Sequence, residues 1–291
     1  MTSMLAGTAS ASAGATRAEV AAPARIVVPV DGSPFAERAL PVAAWVARAT
    51  GAPLHLIEVV AGADGSATAI TYLHDLARRH GAPTWEVATD DDPAAAIAAA
   101  ACAAGRGLVC LSTRGRDRSA AVLGSVAAAV LDSTTAPAFP VGPEARPPCA
   151  DDAPVVVAVE GAADDGGLVD VAARWATLLD RRLVIATVAG PVSSGLREGR
   201  SPRRARGPAD AETHLAGLAA RVAGAVETHV VHDPISVRGG LIRFVDRTAG
   251  LLVMGWHRRS RPLRALLGSH TARVVHDVEV PTLVVPLDAP L

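Results

Sequence analysis

Residues 107–141 read GLVCLSTRGRDRSAAVLGSVAAAVLDSTTAPAFPV, and residues 250–286 read GLLVMGWHRRSRPLRALLGSHTARVVHDVEVPTLVVP. Each stretch opens on Gly and a short apolar run, 108–111 or 251–254, too short for a helix and suited to a strand buried on both faces. A polar loop comes next and closes on a Gly-Ser pair, Gly124-Ser125 or Gly268-Ser269. That pair heads an Ala/Val-rich helical segment, after which comes another short strand. Strand, glycine loop and helix N-terminus bring free backbone N–H groups and the positive end of a helix dipole to one spot, which favours an anion such as phosphate.

Outward from this unit, the first half fills in as alternating strands and helices. Residues 25–30, RIVVPV, predict a buried strand running into Asp31-Gly32-Ser33-Pro34. Ser33 is a good N-cap and Pro34 a good first helical residue, so a helix is expected to run to Thr50, with Gly51 as its stop. Pro41 inside that helix is expected to kink it or to cost a hydrogen bond. Residues 54–60 predict the second strand. Residues 66–80 predict an amphipathic helix with Ile70, Leu73, Leu76 and Ala77 on one stripe and Gly81 ending it. Residues 84–89 predict a third strand, and Asp92-Pro93 supplies the cap and first position of an alanine-rich helix that stops at Gly105. Strands alternating with helices of this length mean parallel βαβ units with helices on both faces of the sheet.

The second half repeats the plan. Trp45, in AAWVARATGAPLHLI, returns 130 residues later as Trp175 in AARWATLLDRRLVI, whereas Gly107 returns 143 residues later as Gly250. The growing offset places an insertion at residues 195–208, which carries Arg197, Arg200, Arg203, Arg204 and Arg206. Asp92-Pro93 returns as Asp233-Pro234, and Pro147-Pro148 with Asp151-Asp152 marks a linker. The fold class is α/β: two tandem doubly wound parallel-sheet domains, Rossmann-like, of five strands each. The expected division is a disordered tail over 1–24, a first domain over 25–143, a linker over 144–153 and a second domain over 154–288. A length of 291 residues suits two domains at ~150 residues each.

Composition narrows the partners. The formal net charge is −1, which gives no argument for nucleic acid or an acidic membrane. Only 3% of residues are aromatic, so the core must be built from Ala, Val and Leu. No apolar run approaches the ~20 residues of a membrane span. The first 24 residues carry neither a basic n-region nor a compact apolar h-region and are read as a tail, not a signal peptide, in a cytoplasmic chain. Cys102, Cys110 and Cys149 show no C-x-x-C spacing and fit reduced thiols, the first two as small buried hydrophobes. All 28 basic residues are arginine, which excludes a Walker A lysine, a Schiff base and a lysine general base.

Other constellations fail on inspection. Asp90-Asp91-Asp92 suggests a metal or a phospho-acceptor, but a receiver domain also needs a lysine, and Asp92 already has a capping role. His214 and His257 lack ligand spacing and are read as surface or pocket-rim residues. There is no G-x-S-x-G elbow and no G-x-G-x-x-G after a strand, so neither a serine hydrolase nor a dinucleotide enzyme is supported. The arginines at 197–206 lack interleaved aromatics and read as a solvated loop.

A V-x-V-D-G-S first strand, the β/α order and a loop related to G-x2-G-x9-G-[ST] together resemble the universal stress protein family in its tandem-domain form, over residues 25–286. The resemblance implies sheets of order 3-2-1-4-5 and ATP, with Mg²⁺, at the C-terminal edge of the strands. That place is also the one expected from the rule that open α/β sheets bind ligands where strand order reverses. The resemblance further implies that Pro29 and Asp31 contact adenosine, that Val59 lies against the base, and that Ser112, Gly115, Gly124, Ser125 and Val126 hold phosphates. In the second half the matching positions are Glu160, Gly255, Arg258, Gly268 and Ser269. Both copies depart from the pattern. Ser112 stands for the first Gly of copy one, and only eight residues separate Gly115 from Gly124; Arg258 stands for the second Gly of copy two, and Glu160 for the strand Asp. Glycine is required where backbone must approach a phosphate closely, so each replacement alters the cradle.

Two functional readings remain. In the first, the chain is an adenine-nucleotide-binding stress or regulatory protein, at most a slow ATPase, since no base, nucleophile or metal set is visible. In the second, it is a structural or interaction module whose altered loops do not bind nucleotide and whose last strands mediate pairing, within the chain or as a homodimer. Residues 280–285 make the better pairing edge, because Pro137 and Pro140 remove donors from the other. Adenylyl transfer would need a longer pyrophosphate loop than Asp31-Gly32-Ser33-Pro34.

Overall fold

Runs of Val, Ile and Leu with no polar alternation can be satisfied only where both faces of a strand are covered, and those runs form the centre of the sheet. The computed structural model describes residues 22–62, 65–103, 105–114, 123–162, 164–189, 208–233, 235–256 and 270–287. The tail expected over 1–24 lies almost entirely outside the described residues, and the arginine cluster at 197–206 wholly so.

In the first half the strands are β1 (Arg25–Pro29), β2 (Leu54–Val60), β3 (Thr84–Thr89), β4 (Gly107–Ser112) and β5 (Ala138–Val141). The helices between them are α1 (Ala39–Thr50), α2 (Ser66–His80), α3 (Pro93–Cys102) and α4 (Ser125–Ser133). The second half contributes β6 (Val155–Ala158), α5 (Asp165–Leu178), β7 (Leu183–Ala189), α6 (Pro208–Ala219), β8 (Val226–His232), α7 (Val237–Thr248), β9 (Leu251–Trp256), α8 (His270–Asp277) and β10 (Thr282–Pro286). Strand order is β3-β2-β1-β4-β5-β10-β9-β6-β7-β8, so each half has the order 3-2-1-4-5. Pairing is parallel within each half and antiparallel between β5 and β10, where Val284 lies opposite Ala138. That junction is one residue pair long; Pro137 and Pro140 have no N–H to extend it.

Helices cover both faces. Trp45 of α1, Leu73 and Leu76 of α2, Trp175 of α5 and Leu215 of α6 share one apolar cluster that runs across both halves. On the opposite face Ile97 of α3 and Val130 of α4 form a cluster over the first half, and Leu241 of α7 and Val274 of α8 form another over the second. The halves also meet through aromatic contacts. Phe139 stands edge-on to Trp175 with centroids 5.4 Å apart, and the Arg181 guanidinium lies 5.8 Å from the Trp45 ring centroid. Such aromatic contacts contribute about 0.5–1.5 kcal/mol each beyond the area they bury.

Local sequence explains most boundaries, with departures at Ser33, Pro41, Ile70, Asp233 and Cys102. Gly51 and Gly81 end α1 and α2 in the left-handed conformation, at φ 72° and 63°. Ser33 does accept from the Ala36 amide, at 3.2 Å, but Ala36–Arg38 form a 3-10 turn, and α1 begins only at Ala39. Pro41 therefore falls in the first turn of α1, where its missing N–H would have had no intrahelical acceptor, and the expected kink has no cause. Ile70 is 46% exposed, although Leu73, Leu76 and Ala77 of the same stripe are buried. Asp92 caps α3 as expected, accepting from the Ala94 and Ala95 amides at 3.1 Å. Asp233 does not cap α7: it accepts from the Ile235 and Ser236 amides, both at 2.8 Å, and Ser236 caps the helix by accepting from Gly239 at 3.1 Å. Cys110 is buried, but Cys102 is exposed, contrary to the sequence reading.

Candidate functional site

Strand order reverses between β1 and β4, which leaves a crevice beyond their C-terminal ends. A cleft of about 700 Å³ opens there, lined on its apolar side by Pro29, Ile57, Val59, Ile97 and Leu111 and on its loop side by Ser112 and Gly124. Asp31, Ser125 and Val126 also line it, so seven of the eight first-half positions implied by resemblance converge on one cavity. The eighth, Gly115, lies outside the described residues.

Each of these groups has a local job as well. Asp31 accepts from the Ser33 amide at 3.0 Å, the turn role that any Asp before Gly can play. Ser112 Oγ accepts from the Arg114 amide at 3.3 Å. The Gly124 amide donates to Thr113 O at 2.8 Å, and a Cβ at Gly124 would meet the same oxygen at 3.3 Å. Gly124 is extended, at φ −65° and ψ 159°, and α4 starts at the next residue. The first-turn amides of α4 consequently have no intrahelical acceptor, and exposed Ser125 and Val126 carry two of them into the cleft wall.

Three polar or charged residues of the cleft were not singled out by the sequence. Thr113 is 1% exposed, and its hydroxyl has no hydrogen-bond partner among the described residues. Arg114 and Asp132 are, with Asp31, the charged groups of the lining among the described residues. Thr113 and Arg114 sit between two motif positions, which was a usable signal; nothing local marked Asp132. Behind Asp31, the Tyr72 hydroxyl donates to Glu37 at 3.1 Å, and burial, then the Glu37 charge, holds that phenol far above its ordinary pKa.

The second half treats the matching positions differently. The buried Asp165 carboxylate accepts from the Gly161 and Ala162 amides at 2.8 and 2.9 Å and from the Glu160 amide at 3.4 Å. His214 Nε2 lies 2.8 Å from the same carboxylate, so His214 is a partner of a buried acid and not a rim residue. The loop after β6 is therefore satisfied from within. At Gly255 a Cβ would lie 2.4 Å from Leu287 Cδ1, so a larger residue there would require that side chain to shift. Arg258, Gly268, Ser269 and His257 lie outside the described residues. Among the described residues, no group of three or more His, Cys, Asp or Glu side chains gathers as a metal site would require, and no helix is long and apolar enough to cross a membrane.

Comparison with known proteins agrees with this architecture. The model of the universal stress protein family matches residues 24–74 and 153–286, more than half of the chain, and passes over β3 to β5 of the first half. A crystal structure of a universal stress protein from Archaeoglobus fulgidus DSM 4304 superposes with a TM-score of 0.65 at 17% identity, covering 90% of this chain and 96% of that one. A protein from Pseudomonas aeruginosa UCBPP-PA14, described as a universal stress protein, gives 0.61 at 20% identity, with 91% and 93% covered. A universal stress protein crystallised with cAMP covers 47% of this chain and 99% of its own at 24% identity, with a TM-score of 0.36. No curated protein matches the sequence. With the fold-level likeness and the family match in agreement, the chain belongs to the universal stress protein family.

Proposed function

We propose that the first-half cleft binds an adenine nucleotide, ATP with Mg²⁺, and that the protein is a cytoplasmic nucleotide sensor in a stress or regulatory response. The observation that carries this reading is the cleft at the reversal of strand order, where the buried Thr113 hydroxyl has no hydrogen-bond partner among the described residues and Ser125 and Val126 carry first-turn amides of α4. A base suits the slot between Val59 and Ile97. The phosphates suit the α4 amides, Ser112 and Arg114. Asp31 would accept from the sugar hydroxyls. Bound Mg²⁺ would offset phosphate charge that the described lining, with two carboxylates and one guanidinium, leaves uncompensated. The residues thus suit binding and orientation, and ATP hydrolysis is expected to be slow.

On this reading residues 25–143 form the binding domain, and 154–288 form a second domain that pairs with it and whose loop after β6 is held by Asp165. Titration calorimetry of the nucleotide-stripped protein with ATP and Mg²⁺ tests it. Binding of about one equivalent per chain is expected, and Asp31→Ala should abolish it; absence of heat at millimolar ATP would sink the proposal. A second reading, an interaction module without nucleotide, is favoured by the internally satisfied loop after β6, and predicts that silent titration.

A further inference from the structure

Arg114 is the one cation of the cleft lining among the described residues, and its guanidinium reaches into the second half. Its Nη2 lies 2.8 Å from Nε2 of His276, at the end of α8 in the second half. The other ring nitrogen, Nδ1, lies 3.0 Å from Asp277 Oδ1, and Asp277 Oδ2 stands 4.0 Å from Arg238 Nε. A guanidinium can only donate and a carboxylate can only accept, so this network assigns the ring its tautomer: Nδ1–H donates to Asp277, and the Nε2 lone pair accepts from Arg114. His276 is therefore neutral where it meets Arg114. The guanidinium is set against an uncharged acceptor, while its Nε is shielded from solvent and has no hydrogen-bond partner among the described residues. An anion entering the cleft would offer the guanidinium a stronger, charge-assisted partner than a neutral ring nitrogen.

We propose that Arg114 is the phosphate-sensing residue of the cleft: it is parked on neutral His276 of α8 without ligand and turns to the phosphates when nucleotide binds, so that occupancy of the first half loosens its contact with the second. This rests on the nucleotide reading above. The device couples two sites only through the difference in what Arg114 touches in the two states, which is what allosteric coupling requires. The position of His276 makes the link direct, because the same turn of α8 packs on the end of β5. A Cβ on Gly142 would lie 2.1 Å from Val275 O and 3.3 Å from His276 Cα.

The experiment compares ATP with adenosine, which lacks phosphate, on the full chain. Arg114→Gln should weaken ATP about tenfold, the scale of one charge-assisted hydrogen bond, and leave adenosine unchanged. Arg114→Lys should recover part of the loss. His276→Ala removes the competing acceptor and should tighten ATP severalfold without altering adenosine. In parent protein labelled with ¹⁵N-histidine, ATP and not adenosine should shift the His276 ring nitrogens. If the parent binds both ligands, but Arg114→Gln binds ATP like the parent or the His276 signals stay fixed, Arg114 is an interface residue only, and the proposal falls while the nucleotide reading stands. If the parent binds neither ligand, both fall.

Discussion

The Cβ that Gly142 lacks would lie 2.1 Å from the carbonyl oxygen of Val275, so α8 of the second half rests directly on the backbone that leaves β5 of the first. The contact is backbone against backbone, and no rotamer change can relieve it. Together with the Arg146 amide, which donates to Glu279 O at 2.8 Å, it fixes α8 over the sheet junction.

Gly142→Ala is therefore expected to destabilise the chain by about 1–3 kcal/mol, the usual cost of overpacking, and to lower its melting temperature by several degrees. Arg114 and His276 face each other across the same seam, so the variant should also disturb the His276 ring signals. An unchanged melt would mean that α8 can slide away at little cost.

Much of this architecture is legible in the chain. β2, α2 and β3 begin and end where apolar periodicity and the stops at Gly51 and Gly81 put them, because those signals are local and backbone conformation answers to them directly. Duplication is readable for the same reason. What escapes is tertiary. Pro41 reads as a kink until the 3-10 turn shifts the helix start, and Ile70 reads as core until the packing of α2 turns it outward. His214 has no sequence signal for Asp165, 49 residues away, and Arg114 has none for His276, 162 residues away. In the cleft, the strand ends and the Gly-Ser pair were visible as pattern; the burial of the Thr113 hydroxyl, with no hydrogen-bond partner among the described residues, exists only in the folded chain.

His55 gives a pH dependence whose sign can be worked out. It is 5% exposed on β2, lies 2.9 Å through Nδ1 from Thr84 Oγ1, and has its pKa lowered first by burial and then by the Arg25 charge, with Glu86 opposing. A group whose folded pKa is depressed is protonated more readily in the unfolded chain. Stability is thus fully present above the unfolded value of about 6.5 and is lost as pH falls below it towards the folded value. Urea unfolding at pH 7.5 and 5.5 should show the parent losing more stability than His55→Gln, which keeps a polar side chain but cannot titrate. Equal losses would mean that His55 is as easily protonated in the fold as outside it.

The three thiols should separate by accessibility. Cys102 and Cys149 are exposed, whereas Cys110 is fully buried on β4 and burial pushes its thiol far up, out of the range in which thiolate forms near neutrality. An aromatic disulfide reagent at neutral pH should therefore titrate two thiols quickly in the folded protein and three in urea. Rapid reaction of all three without denaturant would reveal opening of the sheet at β4 on the time scale of the assay.

Thr113→Val separates the stability of the cleft from its use. The hydroxyl is buried and has no hydrogen-bond partner among the described residues, so replacing it by a methyl of nearly the same shape removes an uncompensated polar group. The free protein should be as stable as the parent or more so, by up to about 1 kcal/mol. If the hydroxyl is kept because it serves the ligand, the same variant should bind ATP about tenfold more weakly and show a smaller ATP-dependent rise in melting temperature. The two readouts move in opposite directions under the nucleotide reading, which a purely structural role cannot produce. A stabilised variant that binds ATP as tightly as the parent would remove Thr113 from the site, and the reading would then stand only on the α4 amides and Asp31.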